Sequence, residues 1–157
     1  MLKLFLSCTL FFLFHVPLLE SSPLFDAKSL KCSFESGVFT KFENEKWKSK
    51  NSKMVDLIFD GINTDKQSAR LIANAGTSDL SALLTPRALH LIEITGTGNY
   101  NLTSVFLPNQ PAQKSISANE PFLAVHSRHL NIPDPINPVF PLVSQYYGKC
   151  LKWDVDR

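Results

Sequence analysis

Short runs in which apolar and polar residues alternate dominate the chain beyond Cys32, and turn residues separate these runs at fairly regular intervals. One of them, Met54–Phe59, is followed by Asp60-Gly61, a common hairpin turn. A period of two residues is that of a β-strand with one buried face. The sequence keeps no apolar stripe at helical spacing over three turns. The pattern therefore predicts an all-β, single-domain antiparallel barrel or sandwich of about seven or eight short strands.

Two segments depart from this pattern. The composition of Asp65–Ala75 tolerates one or two helical turns. Pro133, Pro135, Pro138 and Pro141 lie within nine residues of one another. Because proline removes a backbone donor, this run excludes a helix or a central strand and predicts an extended crossing over the sheet or past its edge.

The first 22 residues have the layout of a secretory signal peptide. Met1–Lys3 is positively charged, Leu4–Leu19 is almost wholly apolar, and Glu20-Ser21-Ser22 is polar, so we expect cleavage near Ser21. The apolar run is shorter than the roughly 20 residues that a membrane-spanning helix needs, although an uncleaved anchor is the alternative. We expect a signal peptide at 1–21, a linker at 22–31 and one β domain at 32–157, without a stable membrane span after cleavage.

Removal of this leader also removes Cys8, which leaves Cys32 and Cys150 near the two ends of the mature chain. In an exported protein, a single widely separated cysteine pair predicts a disulfide that joins the first strand to the last. The alternative is two free, buried thiols. We therefore expect a secreted or periplasmic protein.

The charge of the chain is nearly balanced, with 16 basic and 14 acidic side chains. This balance gives no reason to expect a nucleic-acid partner. Lys41–Lys53 is a local exception because its five lysines face only two glutamates. This segment is either a solvated loop or hairpin tip, or a contact surface for an anionic partner or lipid headgroups.

The sequence carries no recognisable catalytic signature. It lacks the Gly-x-Ser-x-Gly turn that exposes a serine nucleophile. His126 and His129 are three residues apart, as are His90 and Glu93, so on a strand the members of each pair face opposite sides and cannot share a metal ion. We expect no metal, no cofactor and no catalytic residue. The alternative is a hydrolytic or metal-dependent site assembled from these four residues across strands.

Four polar residues in strand-like, apolar surroundings are the candidate ligand-binding residues: Glu93, His126, Arg128 and Tyr146. Glu93 is the one acid inside an apolar strand. It is either a buried acid that grips a ligand, a partner of Arg128 or Arg87 in an ion pair, or a solvent-facing side chain.

Several segments resemble a group of small exported bacterial proteins of unknown function: Cys32-x-Phe34, Leu89–Thr95, Ala124–His129 and Ser144–Cys150. This resemblance spans most of the mature chain and implies a bacterial, periplasmic or secreted setting without supplying an activity. Gly37-Val38-Phe39, together with chain ends tied by a disulfide, is also similar to lipocalin-type barrels. Lipocalins have tryptophan where Phe39 stands.

The sequence favours a non-catalytic binding module for a small ligand or an envelope protein. Two alternatives remain open at this point. One is the composite enzyme described above. The other is a structural or assembly factor of the cell envelope that makes its contacts through Lys41–Lys53 or the proline-rich run.

Overall fold

The computed structural model describes residues 24–73, 76–108, 120–132 and 140–153. These residues form nine β-strands and no helix, so the all-β class is confirmed. The strands are β1 (Leu30–Glu43), β2 (Lys46–Asn51), β3 (Leu57–Asn63), β4 (Ser68–Ala73), β5 (Gly76–Thr85), β6 (Ala88–Ile94), β7 (Tyr100–Phe106), β8 (Phe122–Ile132) and β9 (Phe140–Lys152).

Eight of the strands close into an antiparallel barrel in the order β1-β3-β4-β5-β6-β7-β8-β9, with β9 pairing back to β1. A closed sheet leaves no free edge, and eight strands enclose an interior that side chains can just fill. The choice between barrel and sandwich is therefore settled in favour of a barrel. In the described part of the chain, the ninth strand, β2, pairs only with β1.

One side of β1 is shared by two strands. Leu30–Cys32 pairs with β3, whereas Val38–Glu43 pairs with β2. Between these ladders residues 52–56 leave the sheet, and the backbone bond from Ser52 N to Gly37 O (2.8 Å) spans the gap. We call the gap between 33–36 and 52–56 the seam.

Two local predictions are wrong near the seam and beyond it. The strand expected at Met54–Phe59 begins only at Leu57, and Asp60-Gly61 lies inside β3 because the turn falls at 64–67. Asp60 is accommodated there since Arg70 on β4 donates to its carboxylate from Nε (3.0 Å) and Nη2 (2.6 Å). The helical turns tolerated by Asp65–Ala75 do not form, since Ser68–Ala73 is a strand.

Part of the proline-rich run is also strand. β9 begins at Phe140, so Pro141 lies within it and pairs with Asn131 of β8. The ladder from β1 ends one residue later, at Leu142. Because the pairing with β1 does not reach Pro141, the missing N–H of this proline costs no hydrogen bond to β1. The remaining prolines of the run lie outside the described residues.

At the upper end of the barrel β1, β2, β8 and β9 stay paired with one another from about the level of Asn101 in β7 to beyond Tyr100, the first residue of β7. We call this continuation the upper sheet: 38–43, 46–51, 128–132 and 140–144. The opposite, lower end of the barrel is covered by residues 24–29, where Leu24 and Ala27 are buried in the core.

The predicted disulfide is confirmed. Cys32 of β1 and Cys150 of β9 are directly paired across the sheet, are bonded, and have no exposed surface. Disulfides persist in oxidising compartments, so the bond indicates an environment outside the cytoplasm.

Candidate functional site

The four candidate binding residues lie on one face of the sheet, the face that lines the barrel interior near its upper end. Directly paired residues of antiparallel strands share a face. The register produces one row that contains Leu91, Thr103, His126, Tyr146 and Gly37. The next row, nearer the opening, contains Glu93, Asn101, Arg128, Ser144 and Phe39. We call the polar members of the two rows the polar cluster: Glu93, Asn101, Thr103, His126, Arg128, Ser144 and Tyr146.

His126 is the most deeply placed titratable group of the polar cluster, with 4% of its surface exposed. Its Nδ1 lies 2.7 Å from Thr103 Oγ1, and its ring packs against those of Phe34 (centroids 5.7 Å apart) and Tyr146 (6.3 Å). Burial, and then the charge of Arg128, lower the pKa of His126 to about 4. The imidazole is therefore neutral at neutral pH and offers hydrogen bonds without a charge.

This lowered pKa makes a prediction about stability. The unfolded chain takes up a proton at His126 near pH 6.5, whereas the folded chain does so only near pH 4. Protonation of His126 should therefore not affect the free energy of unfolding above about pH 6.5, and it should lower that free energy by about 3 kcal/mol as the pH drops to about 4. Urea unfolding at several pH values measures this, and His126→Asn supplies a neutral side chain that does not titrate.

Carboxylates titrate near the lower end of the same range, so the difference between the two proteins isolates the histidine. His126→Asn should flatten the profile between about pH 6.5 and pH 4. Parallel profiles for the two proteins would show that His126 is not held neutral by the fold.

Glu93 and Asn101 form the second contact of the polar cluster. Asn101 Nδ2 donates to Glu93 Oε2 (2.5 Å), and Glu93 is only 9% exposed. Glu93 makes no ion pair with Arg128 in the described part of the chain, so that alternative is wrong, as is the solvent-facing one. Asn101 Oδ1 is buried and has no hydrogen-bond partner among the described residues, which is unusual for an acceptor in a folded protein.

Arg128 lies between Asn101 of β7 and Ser144 of β9. Its side chain is half-buried, and within the described residues no carboxylate pairs with it. A partly desolvated guanidinium without a counter-charge is costly in a folded protein unless a ligand supplies the anion. Arg128 is therefore the residue of the polar cluster best suited to hold an anion.

Tyr146 connects the polar cluster with the seam. A Cβ on Gly37 would overlap the Tyr146 ring, so glycine is what allows the ring to lie across β1. The Tyr146 hydroxyl then reaches Ser52 Oγ (3.3 Å). On the outer side of the seam is a pocket of about 460 Å³, lined by Glu35, Ser36, Gly37, Val38, Asn51, Ser52, Lys53 and Tyr147.

The composite enzyme site is divided between the two faces. His90 and His129 lie on the outer face, where His90 Nδ1 contacts Ser104 Oγ (2.9 Å) and His129 packs edge-on against Tyr100. Only Glu93 and His126 face the interior. Among the described residues no three His, Cys, Asp or Glu side chains are grouped closely enough to hold a metal ion. Nor do those residues include a helix suited to crossing a bilayer.

The lysine-rich segment forms the β1–β2 hairpin of the upper sheet, as the hairpin-tip interpretation predicts. Lys41 and Lys48 contact the Glu43 carboxylate at 3.1 and 3.5 Å, and the hydrogen bond from Lys41, followed by the charges of both lysines, lowers the pKa of Glu43. Lys46 and Lys50 have no carboxylate partner in the described part of the chain. The hairpin therefore keeps an excess of positive charge.

Sequence reasoning missed three members of the polar cluster: Asn101, Thr103 and Ser144. The alternation within β7 places Asn101 and Thr103 on one face, and this was a usable signal. Their partners on β6 and β8 are 8 and 23 residues away, and only the strand register identifies them.

Comparisons with known proteins assign this barrel to no family. No protein-family model matches the chain, and neither the curated proteins nor the solved structures include a significant match.

Proposed function

We propose that this protein is exported and that it binds a small anionic molecule, without catalysing a reaction, at the upper end of the barrel. The signal-like leader and the Cys32–Cys150 disulfide support export. The polar cluster supports binding because it combines convergent polar side chains with an apolar interior, as ligand sites commonly do. A bacterial periplasm or the extracellular space is the setting that fits these features.

The observation that carries the proposal is the half-buried guanidinium of Arg128 without a carboxylate partner in the described residues. A carboxylate, phosphate or sulfate group can accept two parallel hydrogen bonds from arginine. Asn101 Oδ1, to which no residue in the described part of the chain donates, lies in the same row and can accept from a hydroxyl or amine of the ligand. An anionic group alone meets Arg128, and a ligand that also carries a donor meets Asn101 Oδ1 as well.

His126 makes binding measurable. The charge of Arg128 lowers the pKa of His126, so an anion that neutralises Arg128 should raise it. The ring resonances of His126 therefore report on the site without a label. A pH titration followed by NMR in the absence and presence of methyl phosphate detects this change.

Arg128→Gln should weaken the binding of methyl phosphate by about 10- to 100-fold, the loss expected for charge-assisted hydrogen bonds. The matched control is Lys149→Gln, which removes the same charge from an exposed position on the outer face of β9. The control should bind as the unaltered protein does. Isothermal titration calorimetry measures the affinities, and far-UV circular dichroism checks that both variants fold.

The proposal fails if methyl phosphate and simple carboxylates leave the His126 titration unchanged, or if both variants lose affinity equally. It also fails if Arg128→Gln does not fold, since Arg128 would then have a structural role.

A further inference from the structure

We propose that the ligand is an amphipathic anion, such as a fatty acid, whose hydrocarbon part lies on the upper sheet while its head group binds Arg128. This inference rests on the proposed function and adds to it the chemical class of the ligand. It is carried by the side chains that continue the interior face of the barrel along the upper sheet.

The interior face does not end at the polar cluster. The row of Arg128, Ser144 and Phe39 ends at Lys50 on β2. The next row outward contains Leu130, Leu142, Lys41 and Lys48. The same face therefore leads from the barrel interior to the β1–β2 hairpin.

Three neighbouring side chains on this face are apolar: Phe39, Leu130 and Leu142. All three are half-buried; Phe39 lies in the row of Arg128 and Asn101, and Leu130 and Leu142 lie one row further out, past the start of β7. We call them the apolar strip. From the strand spacing of about 4.8 Å and the rise of about 3.3 Å per residue, the strip spans about 12 Å, enough for a medium-length alkyl chain.

Cationic side chains flank the apolar strip on both sides. Arg128 lies on β8, and Lys48 and Lys50 lie on β2, with the strip between them. Glu43 offsets Lys41 and Lys48, whereas Lys50 and Arg128 have no carboxylate partner in the described residues. A hydrophilic anion would leave the strip in water, and an uncharged hydrocarbon would leave the cations without a counter-charge. An amphipathic anion satisfies both.

Two other occupants fit this surface less well. A second copy that paired through β2 would bring lysines against lysines, which the charge opposes. An anionic bilayer would attract the lysines, but Glu43 and Glu45 lie at or beside the tip of the hairpin, and the exposed Trp47 lies on the other face. The test below distinguishes the bilayer from a monomeric ligand.

The experiment is a chain-length series by titration calorimetry on the full mature protein, with butanoate, octanoate and dodecanoate kept below micellar concentrations. Affinity should rise about fourfold for each methylene that leaves water, the fold-change equivalent to about 0.8 kcal/mol, until the strip is covered. Octanol, which lacks the charge, should bind more weakly than octanoate. Arg128→Gln should remove this preference for the anion.

The double variant Phe39→Ser/Leu142→Ser should flatten the dependence on chain length while leaving the affinity for butanoate unchanged. Leu130→Ser provides a milder variant if the double variant does not fold. Trp47→Ser, on the opposite face of the hairpin, is the control and should keep the full dependence.

Equal affinity for butanoate and dodecanoate would overturn this inference and leave the proposed function standing. So would a chain-length dependence that the strip variants do not change. Binding to phosphatidylglycerol vesicles that exceeds binding to octanoate and is lost in Trp47→Ser would assign the surface to a bilayer instead. If methyl phosphate binds but none of the carboxylates does, this inference alone is overturned; if neither methyl phosphate nor any carboxylate binds, the proposed function itself fails.

Discussion

Replacing Gly148 by alanine is expected to destabilise the barrel by about 3 kcal/mol or more. Gly148 lies in β9 opposite Phe34, where β1 has an irregular register between Phe34 and Ser36. A Cβ at Gly148 would overlap the Ser33 carbonyl oxygen and lie 2.7 Å from Phe34 Cα. These are backbone atoms in one of the two longest strand pairings of the barrel, so they cannot move aside as a flexible side chain would. Urea unfolding followed by far-UV circular dichroism measures the loss.

Alanine substitutions at two other glycines, Gly96 and Gly37, serve as comparisons for Gly148→Ala. Gly96 lies in a turn with no atom within 4 Å of an added Cβ, so Gly96→Ala should change stability by less than about 0.5 kcal/mol. Gly37→Ala should cost an intermediate amount because it displaces the Tyr146 ring and also approaches the Gln145 carbonyl oxygen at 2.8 Å. If Gly148→Ala is no worse than Gly96→Ala, β1 does not pass over Gly148 as described.

The close approach at Gly148 bears on the site as well as on stability. Phe34 lies inside the barrel against His126, and the register change that follows it, between Phe34 and Ser36, brings Gly37 into the interior row opposite Tyr146, beside the seam. Tyr146 covers Gly37 from the interior side and bonds Ser52 across the seam. The irregular stretch of β1 therefore positions two rings of the polar cluster. A variant that shifts β1 should disturb anion binding along with stability.

Much of the inward face could be predicted from the sequence because side chains alternate strictly along a strand. The spacing of His126, Arg128 and His129 was sufficient to place the first two on one face and His129 on the other, and the structure confirms this. The disulfide was predictable because a leader of signal-peptide layout, which contains Cys8, leaves a single pair of cysteines in the rest of the chain.

Register and strand length were not predictable in the same way. Alternation states which residues share a face of one strand, but not which residues face them on the next strand. The contacts of Thr103 with His126 and of Asn101 with Glu93 depend on the register between neighbouring strands. Asp60-Gly61 has the composition of a turn, yet the Arg70 ion pair keeps it within β3. Non-local pairing decided these cases over local propensity.

Loss of the disulfide is expected to lower the free energy of unfolding at least as much as Gly148→Ala does. Cys32 and Cys150 are separated by 118 residues in sequence. In the chain-entropy model, opening a loop of that length lowers the free energy of unfolding by about 5 kcal/mol. This is comparable with the whole stability of many small domains, about 5 to 15 kcal/mol. The double variant Cys32→Ala/Cys150→Ala, compared with the oxidised protein by urea unfolding, measures the difference.

The position of the bond suggests why the barrel depends on it. Cys32 also lies in the ladder that closes the barrel, where β1 and β3 share three residue pairs, from Leu30–Phe59 to Cys32–Leu57, before the seam begins. Because both sulfurs are buried, dithiothreitol should reduce the bond slowly in native buffer and rapidly in urea, as alkylation and mass spectrometry can follow. Equal unfolding midpoints for the oxidised protein and the double variant would show that the strand ladders alone hold the two ends together. A large difference would mean that the barrel, and with it the polar cluster, persists only where the bond can form, in an oxidising compartment.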